Sequence, residues 1–200
     1  MMLVHPDDAL MLKEVLWPEV QFYDKEIEVV DSTFRNRETY VTAGNKLGKD
    51  FIAGFICVSA FLICKYNGIT CRIVTTSVAE RHLNVLWGEI GRYVATASQP
   101  LLYQYGGPLV LNSLEMRRAE ELEQKKPYNY LTGMVYEDPE KLAGHHAEYT
   151  LFVADEASGI DNKAYEMAQG WAAHMLIIGN PNPTTNFYYK GVMGGDLLAE

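Results

Sequence analysis

Ala43, Gly44, Asn45, Lys46, Leu47, Gly48, Lys49 and Asp50 lie between a short stretch, Tyr40–Val41–Thr42, and a long apolar run that begins at Phe51. A loop of this composition at a strand-to-helix junction has the parts needed to hold a nucleoside triphosphate. A glycine turn lets successive backbone N–H groups converge on the β-phosphate, a lysine reaches the β/γ oxygens, and the next oxygen-bearing side chain meets Mg²⁺. Gly48 supplies the turn and Lys49 the lysine. Ala43 stands where the usual pattern has its first glycine, and Asp50 stands where it has Ser or Thr. Asp50 still offers an oxygen to Mg²⁺, directly or through water, while adding negative charge beside the phosphates. The competing account is an ordinary strand-to-helix turn, because loops containing glycine and lysine are common.

A second group of residues favours the phosphate reading. The apolar run Tyr149–Thr150–Leu151–Phe152–Val153–Ala154 leads into Asp155–Glu156–Ala157–Ser158. Such a run suits a parallel strand buried on both faces, and carboxylates at its C-terminal end would lie beside the phosphate loop. Asp155 is then expected in the Mg²⁺ shell, and Glu156 is expected to orient or deprotonate the attacking water. On its own, the Asp-Glu pair reads better as the cap of a following helix. Behind a buried strand, and together with Gly48–Lys49, it reads as the acidic half of an ATPase site that uses ATP and Mg²⁺.

Positioning these residues takes an alternation of strands and helices. The sequence predicts a helix over 10–30 broken at Pro18, a strand over 38–42, a helix over 50–66, and a strand over 71–76. Ser77 is the expected N-cap of a helix over 78–93. Strands follow over 109–114, 128–135, 149–154 and 175–179, with a helix over 163–170 and a turn at Asn180–Pro181. The charged stretch 116–127 reads as helix or loop. This is an α/β pattern with a mostly parallel sheet flanked by helices. With 200 residues, 48% of them hydrophobic, one domain with a sizeable core is expected.

Composition narrows the partners. A net charge of −9 argues against a generally basic nucleic-acid-coating protein, yet leaves room for a local basic surface. Cys57, Cys64 and Cys71 are odd in number and without CxxC spacing, so buried free thiols are expected. Residues 51–64 are too short a run to span a bilayer, and Asp7 and Asp8 stand where a signal peptide needs basic and apolar regions. A soluble, intracellular chain is expected. His145, His146 and His174 lack a further ligand at zinc spacing and read as hydrogen-bonding histidines. Tyr103, Tyr105, Tyr128, Tyr130 and Tyr136 read as packing residues rather than a base-stacking platform.

The ordered set of motifs resembles the N-terminal ATPase domain of the large terminase subunit of tailed bacteriophages. Leu47–Gly48–Lys49–Asp50 with Lys46 upstream resembles that family's phosphate loop (Walker A). Residues 73–77 with 84–90 are similar to its next strand and helix. Gly144–His145–His146–Ala147 ahead of 151–160 is similar to the approach to its acidic motif (Walker B). Ile178–Gly179–Asn180–Pro181 with Phe187–Tyr188 resembles its coupling motif. The likeness runs from about Gln21 to Tyr189.

The resemblance implies a P-loop, RecA-like core with an additional-strand sheet, and these roles. Gln21 would read adenine, residues Ala43 to Asp50 would bind nucleotide, and Lys49 and Lys46 would contact the β/γ phosphates. Asp155 and Asp50 would hold the metal, Glu156 would act in catalysis, and Asn180 would couple hydrolysis to movement. The organisation implied is one ATPase domain over 1–200: an N-terminal adenine-side segment 1–35, a core 36–190, and a start of linker 191–200 toward a nuclease domain not present in this chain. ATP hydrolysis without DNA cleavage is therefore expected. The implied partners are double-stranded DNA, a portal protein, a small terminase subunit and further copies in a ring, in the cytoplasm of an infected bacterial host. An arginine serving the transition state is also implied, and Arg117 and Arg118 lie in a charged stretch without marking themselves as that group. Two alternatives stay open: a helicase-like nucleic-acid-stimulated ATPase, and a nucleotide-binding module in which Asp50 prevents turnover.

Overall fold

Successive residues of the central strands are buried on opposite faces of one sheet. In the computed structural model, which describes residues 3–42, 44, 48–121, 129–135, 139–180 and 185–197, Ile73, Leu151, Val153, Leu176 and Ile178 face one apolar cluster. Val74, Phe152, Ala154, Met175 and Ile177 face another. Strands buried on both sides read as continuous apolar runs, as 149–154 does.

The elements, in order, are α1 (Pro6–Leu16), α2 (Asp24–Arg35), β1 (Glu38–Thr42), α3 (Lys49–Tyr66), β2 (Cys71–Ser77), α4 (Glu80–Thr96), α5 (Gln99–Gly106), β3 (Leu109–Asn112), β4 (Glu115–Arg118), β5 (Tyr130–Val135), β6 (Tyr149–Ala154), α6 (Asn162–Gln169), β7 (His174–Gly179) and α7 (Phe187–Leu197). They build a seven-stranded sheet of order β1-β7-β6-β2-β5-β4-β3. The pairs from β1 through β5 are parallel, and β4 and β3 close the far edge antiparallel. The mostly parallel α/β sheet flanked by helices is thus present. Its order puts β1, β7, β6 and β2 side by side, so the loops leaving their C-terminal ends share one edge.

Helix α3 is apolar all round because it is enclosed: Ile52 to Cys64 are all buried, with α1, α2, α4 and α5 packed on it. Gly54 permits close approach of α4. A Cβ there would sit 3.1 Å from Glu89 Cβ and 3.3 Å from the backbone nitrogen of Ile90. Trp17 Nε1 donates to Tyr93 O at 2.8 Å, locking the end of α1 against α4. No described helix is long and apolar enough to cross a membrane.

The break expected at Pro18 is present: the chain leaves helical geometry at Trp17 and restarts at Tyr23. There the Glu26 carboxylate accepts from the Tyr23 backbone N–H at 3.0 Å, as in a capping box. Ser77 is not a helix cap: it is the last residue of β2, and Ala79 caps α4 without a side-chain bond. Arg117 and Arg118 lie in β4, where pairing with β3 and β5 overrides the charged composition. Arg118 is buried with Glu121 at 3.7 Å, and Arg117 pairs with Glu115.

The cysteines are free and buried. Burial lowers the pKa of His145, whose ring bonds Tyr130 Oη at 2.5 Å and Lys141 O at 3.0 Å. His174 Nδ1 bonds Asn36 O at 2.8 Å. Both histidines have the hydrogen-bonding role expected of them.

Candidate functional site

The chain reaches the shared edge of the sheet three times. After β1 it passes through the loop to Gly48, whose φ of 76° and ψ of 12° are left-handed, a conformation open to glycine at no steric cost. Lys49 and Asp50 open α3 directly behind it. After β6 come Asp155, whose N–H donates to Thr76 O at 2.9 Å, and Glu156. After β7 comes Asn180. Residues 107 positions apart in sequence therefore meet: Lys49 Nζ forms a hydrogen-bonded ion pair with Glu156 Oε1.

Asp155 Oδ1 lies 4.0 Å from the same ammonium. Asn180 Nδ2 donates to Glu156 Oε2 at 3.4 Å, so each oxygen of that carboxylate has a partner. Tyr188 Oη donates to Gly179 O at 2.8 Å, and its ring fills the space a side chain at Gly179 would need. That contact holds the end of β7, and with it Asn180, against α7. Among the described residues Glu156 is the one non-glycine with positive φ, 52°. Non-glycine residues rarely hold that geometry, at a cost of about 1–3 kcal/mol, and they cluster at functional sites.

The electrostatics belong to a site short of cations. Asp155 is 3% exposed, and its Oδ1 accepts no hydrogen bond. Burial, then the nearby Asp50, push its pKa up to about 7, with Lys49 opposing. Burial also raises Asp50, again opposed by Lys49, while Glu156 and Glu89 add to the rise. A buried carboxylate oxygen that accepts no hydrogen bond, near further carboxylates, is the donor set a hard divalent cation takes. The residues present therefore fit Mg²⁺.

Beside Lys49 opens a cavity of about 670 Å³, walled by Tyr23, Glu26, Ser32, Thr39, Thr42 and Ile52 among others. Gln21 lines a separate concavity with Leu10, Lys13, Glu14, Phe22 and Ile27, and is itself exposed. Gly44 is exposed, while Ala43, Asn45, Lys46 and Leu47 lie outside the described residues. The structure thus brings together Lys49, Asp155, Glu156 and Asn180, with Asp50 adjoining electrostatically. His82, in the first turn of α4, belongs to the same cluster and is absent from the sequence reading. Its only sequence signal is its place after a strand that neighbours β6. Tyr23 and Glu26 were also missed.

The fold has counterparts among solved proteins. The large terminase ATPase domain of Thermus phage P74-26 superposes with a TM-score of 0.68 at 15% identity, over 94% of this chain and 74% of that one. A variant of the same domain matches equally well, at 16% identity. The fold is the ATPase-domain fold of phage large terminases. The HK97 large terminase superposes with a TM-score of 0.58 at 12% identity, over 88% of this chain and 38% of that terminase. In sequence, a probable terminase large subunit of Enterobacteria phage P7 is 25% identical over 194 residues. The match takes in 91% of this chain and spans 36% of that terminase's length. No family model matches the chain. The resemblance to large terminases is thus carried by sequence and by fold together.

Proposed function

We propose that the chain hydrolyses ATP as the motor domain of a DNA-packaging terminase. The observation that carries this reading is the Lys49–Glu156 ion pair, framed by Asp155 and Asn180 at the C-terminal edge of a parallel sheet. Lys49 pairs directly with the Glu156 carboxylate. Arrival of ATP exchanges one anion for another: Lys49 turns to the β/γ oxygens and releases Glu156 Oε1. The freed carboxylate accepts a proton from the attacking water, while Asn180 holds its other oxygen in place. Asp155 and Asp50 would hold Mg²⁺, which when bound neutralises developing phosphate charge. Lys46 would join Lys49 at the γ-phosphate, with residues Ala43 to Gly48 around the phosphates.

The cavity beside Lys49 is the natural place for the nucleoside, with Tyr23 two residues from Gln21 at its wall. Because Asn180 touches Glu156 and adjoins the α7-anchored end of β7, loss of the γ-phosphate has a mechanical route to α7. Coupled to that movement would be translocation of double-stranded DNA by a ring of such chains, working with a portal protein and a small terminase subunit in the infected bacterial cytoplasm. No nuclease step is assigned to these residues. A module that binds ATP without turnover is the second reading, favoured by one observation: Asp50 adds a carboxylate, not a hydroxyl, beside Asp155.

The test is steady-state ATP hydrolysis with Mg²⁺, with and without duplex DNA. Lys49→Ala is expected to lose ATP binding and turnover. Glu156→Gln is expected to keep ATP binding and lose about 10²–10⁴-fold in turnover, the usual share of a general base. Wild-type turnover in both variants would sink the proposal. Lys49-dependent binding without hydrolysis would favour the inert module.

A further inference from the structure

We propose that His82 is a nitrogen ligand for the divalent cation held at Asp155, and that it raises the site's affinity for cobalt-like ions more than for magnesium. The proposal rests on the nucleotide-site reading and adds a residue to it. A ring nitrogen of His82, a carboxylate oxygen of Asp155 and one of Glu156 all lie within 4.8 Å of one another. A cation held at Asp155 would therefore meet the His82 ring on one side and leave Glu156 beside it.

A second observation points inward at the same place: Asp155 is 3% exposed and its Oδ1 has no hydrogen-bond partner. The placement follows from topology. Strand β2 pairs with β6 in parallel, with Thr76 opposite Ala154, so the helix after β2 begins where the acidic residues after β6 emerge.

His82 is available for this role. It is half-buried, and its Nε2 accepts a hydrogen bond from Arg81 Nε at 3.1 Å. Arg81 is exposed, so that bond is easily exchanged for a cation. An all-oxygen site suits Mg²⁺, whereas an imidazole nitrogen shifts selectivity toward the later divalent ions of the first transition row.

The test uses the whole chain stripped of metal and titrated with Co²⁺, read by visible absorption and by proton NMR. Wild type is expected to give a strongly shifted, solvent-exchangeable imidazole N–H resonance. His82→Ala and His82→Gln should lose that resonance and bind Co²⁺ roughly tenfold or more weakly, with Mg²⁺ affinity changed less. Asp155→Asn should lose both ions. A resonance that persists in both His82 variants, or Co²⁺ affinity equal to wild type, overturns the proposal. ATP hydrolysis in Mg²⁺ by the same preparation separates the two readings. Hydrolysis without the imidazole resonance overturns the His82 ligand alone. The resonance without hydrolysis supports the ligand while overturning the motor chemistry.

Discussion

Asp155 illustrates how a buried carboxyl at the proposed site carries a stability cost. Burial raises its pKa to about 7 from an ordinary 3.8. Between those values the ligand-free folded chain holds a proton that the unfolded chain has released, so this group's contribution to stability falls as pH rises from about 4 to about 7. In metal-free buffer, Asp155→Asn is therefore expected to melt above wild type at pH 8, by at most about 4 kcal/mol, and to match it near pH 4. Mg²⁺ should erase the advantage, because the cation stabilises the folded wild type alone. A wild type that melts at or above the variant at pH 8 without metal would show that Asp155 is not destabilised by its site. At this scale the sequence singled out Gly48, Lys49, Asp155 and Glu156, which the fold brings to one edge, because the proposed phosphate and metal chemistry would restrict residue types at fixed spacing. His82 did not, since a histidine in a helix's first turn acquires meaning only from the neighbouring strand. The left-handed backbone of Glu156 was equally hidden, being imposed by the turn that follows β6.

Among the elements, the least expected tie joins the acidic loop to α7. Asn186 Nδ2 donates to Ala157 O at 2.8 Å, Ser158 O at 3.2 Å and Ile160 O at 2.8 Å, while Phe187 N donates to Asn162 Oδ1 at 2.7 Å. One amide thus satisfies the short 3₁₀ turn that directly follows Glu156 and fixes it to the start of α7. Tyr188 fixes the same helix to Gly179, beside Asn180. Asn186→Ala is expected to cost about 1–3 kcal/mol in stability, because it strands buried carbonyls. It should also lower kcat with little change in KM for ATP, because it loosens the backbone that aims Glu156. Thermal melting with steady-state kinetics checks both. A lowered melting temperature with unchanged kcat would reduce Asn186 to a structural tie. Strands 38–42, 71–76, 149–154 and 175–179 were readable from apolar runs and their turns. The hairpin of β3 and β4 was half missed, because Glu115, Arg117 and Arg118 are strand residues by pairing rather than by propensity. The break of α1 from α2 was read at Pro18, but the fresh start at Tyr23 depended on a Glu26 capping contact that composition does not single out.

For the whole molecule, the net charge of −9 decides what the isolated chain can do with DNA. Phosphate contacts supply nearly all non-specific affinity, and that affinity falls steeply as salt competes with Lys and Arg. Several basic side chains are already committed within the chain: Lys49 to Glu156, Lys65 to Glu120, Arg92 to Glu89, Arg117 to Glu115 and Arg118 to Glu121. An acidic chain with its cations so engaged should bind duplex DNA no more tightly than the weak end of non-specific binding, about 10⁻⁴ M, at 0.15 M salt. Binding should emerge below about 0.05 M salt, where the Debye length exceeds roughly 10 Å and a local basic face outweighs the average. DNA stimulation of ATP hydrolysis is expected to follow the same curve. Basal hydrolysis should hardly move with salt, since Lys49, Asp155 and Glu156 interact largely out of solvent. Fluorescence anisotropy with a labelled duplex, run beside turnover across a salt series, checks both limbs. Micromolar binding at 0.15 M salt would overturn the electrostatic argument and require a concentrated basic surface on this chain. Stimulation confined to low salt would instead assign tight DNA engagement to the proposed ring, in which several weak sites would act on one duplex and multiply their avidity.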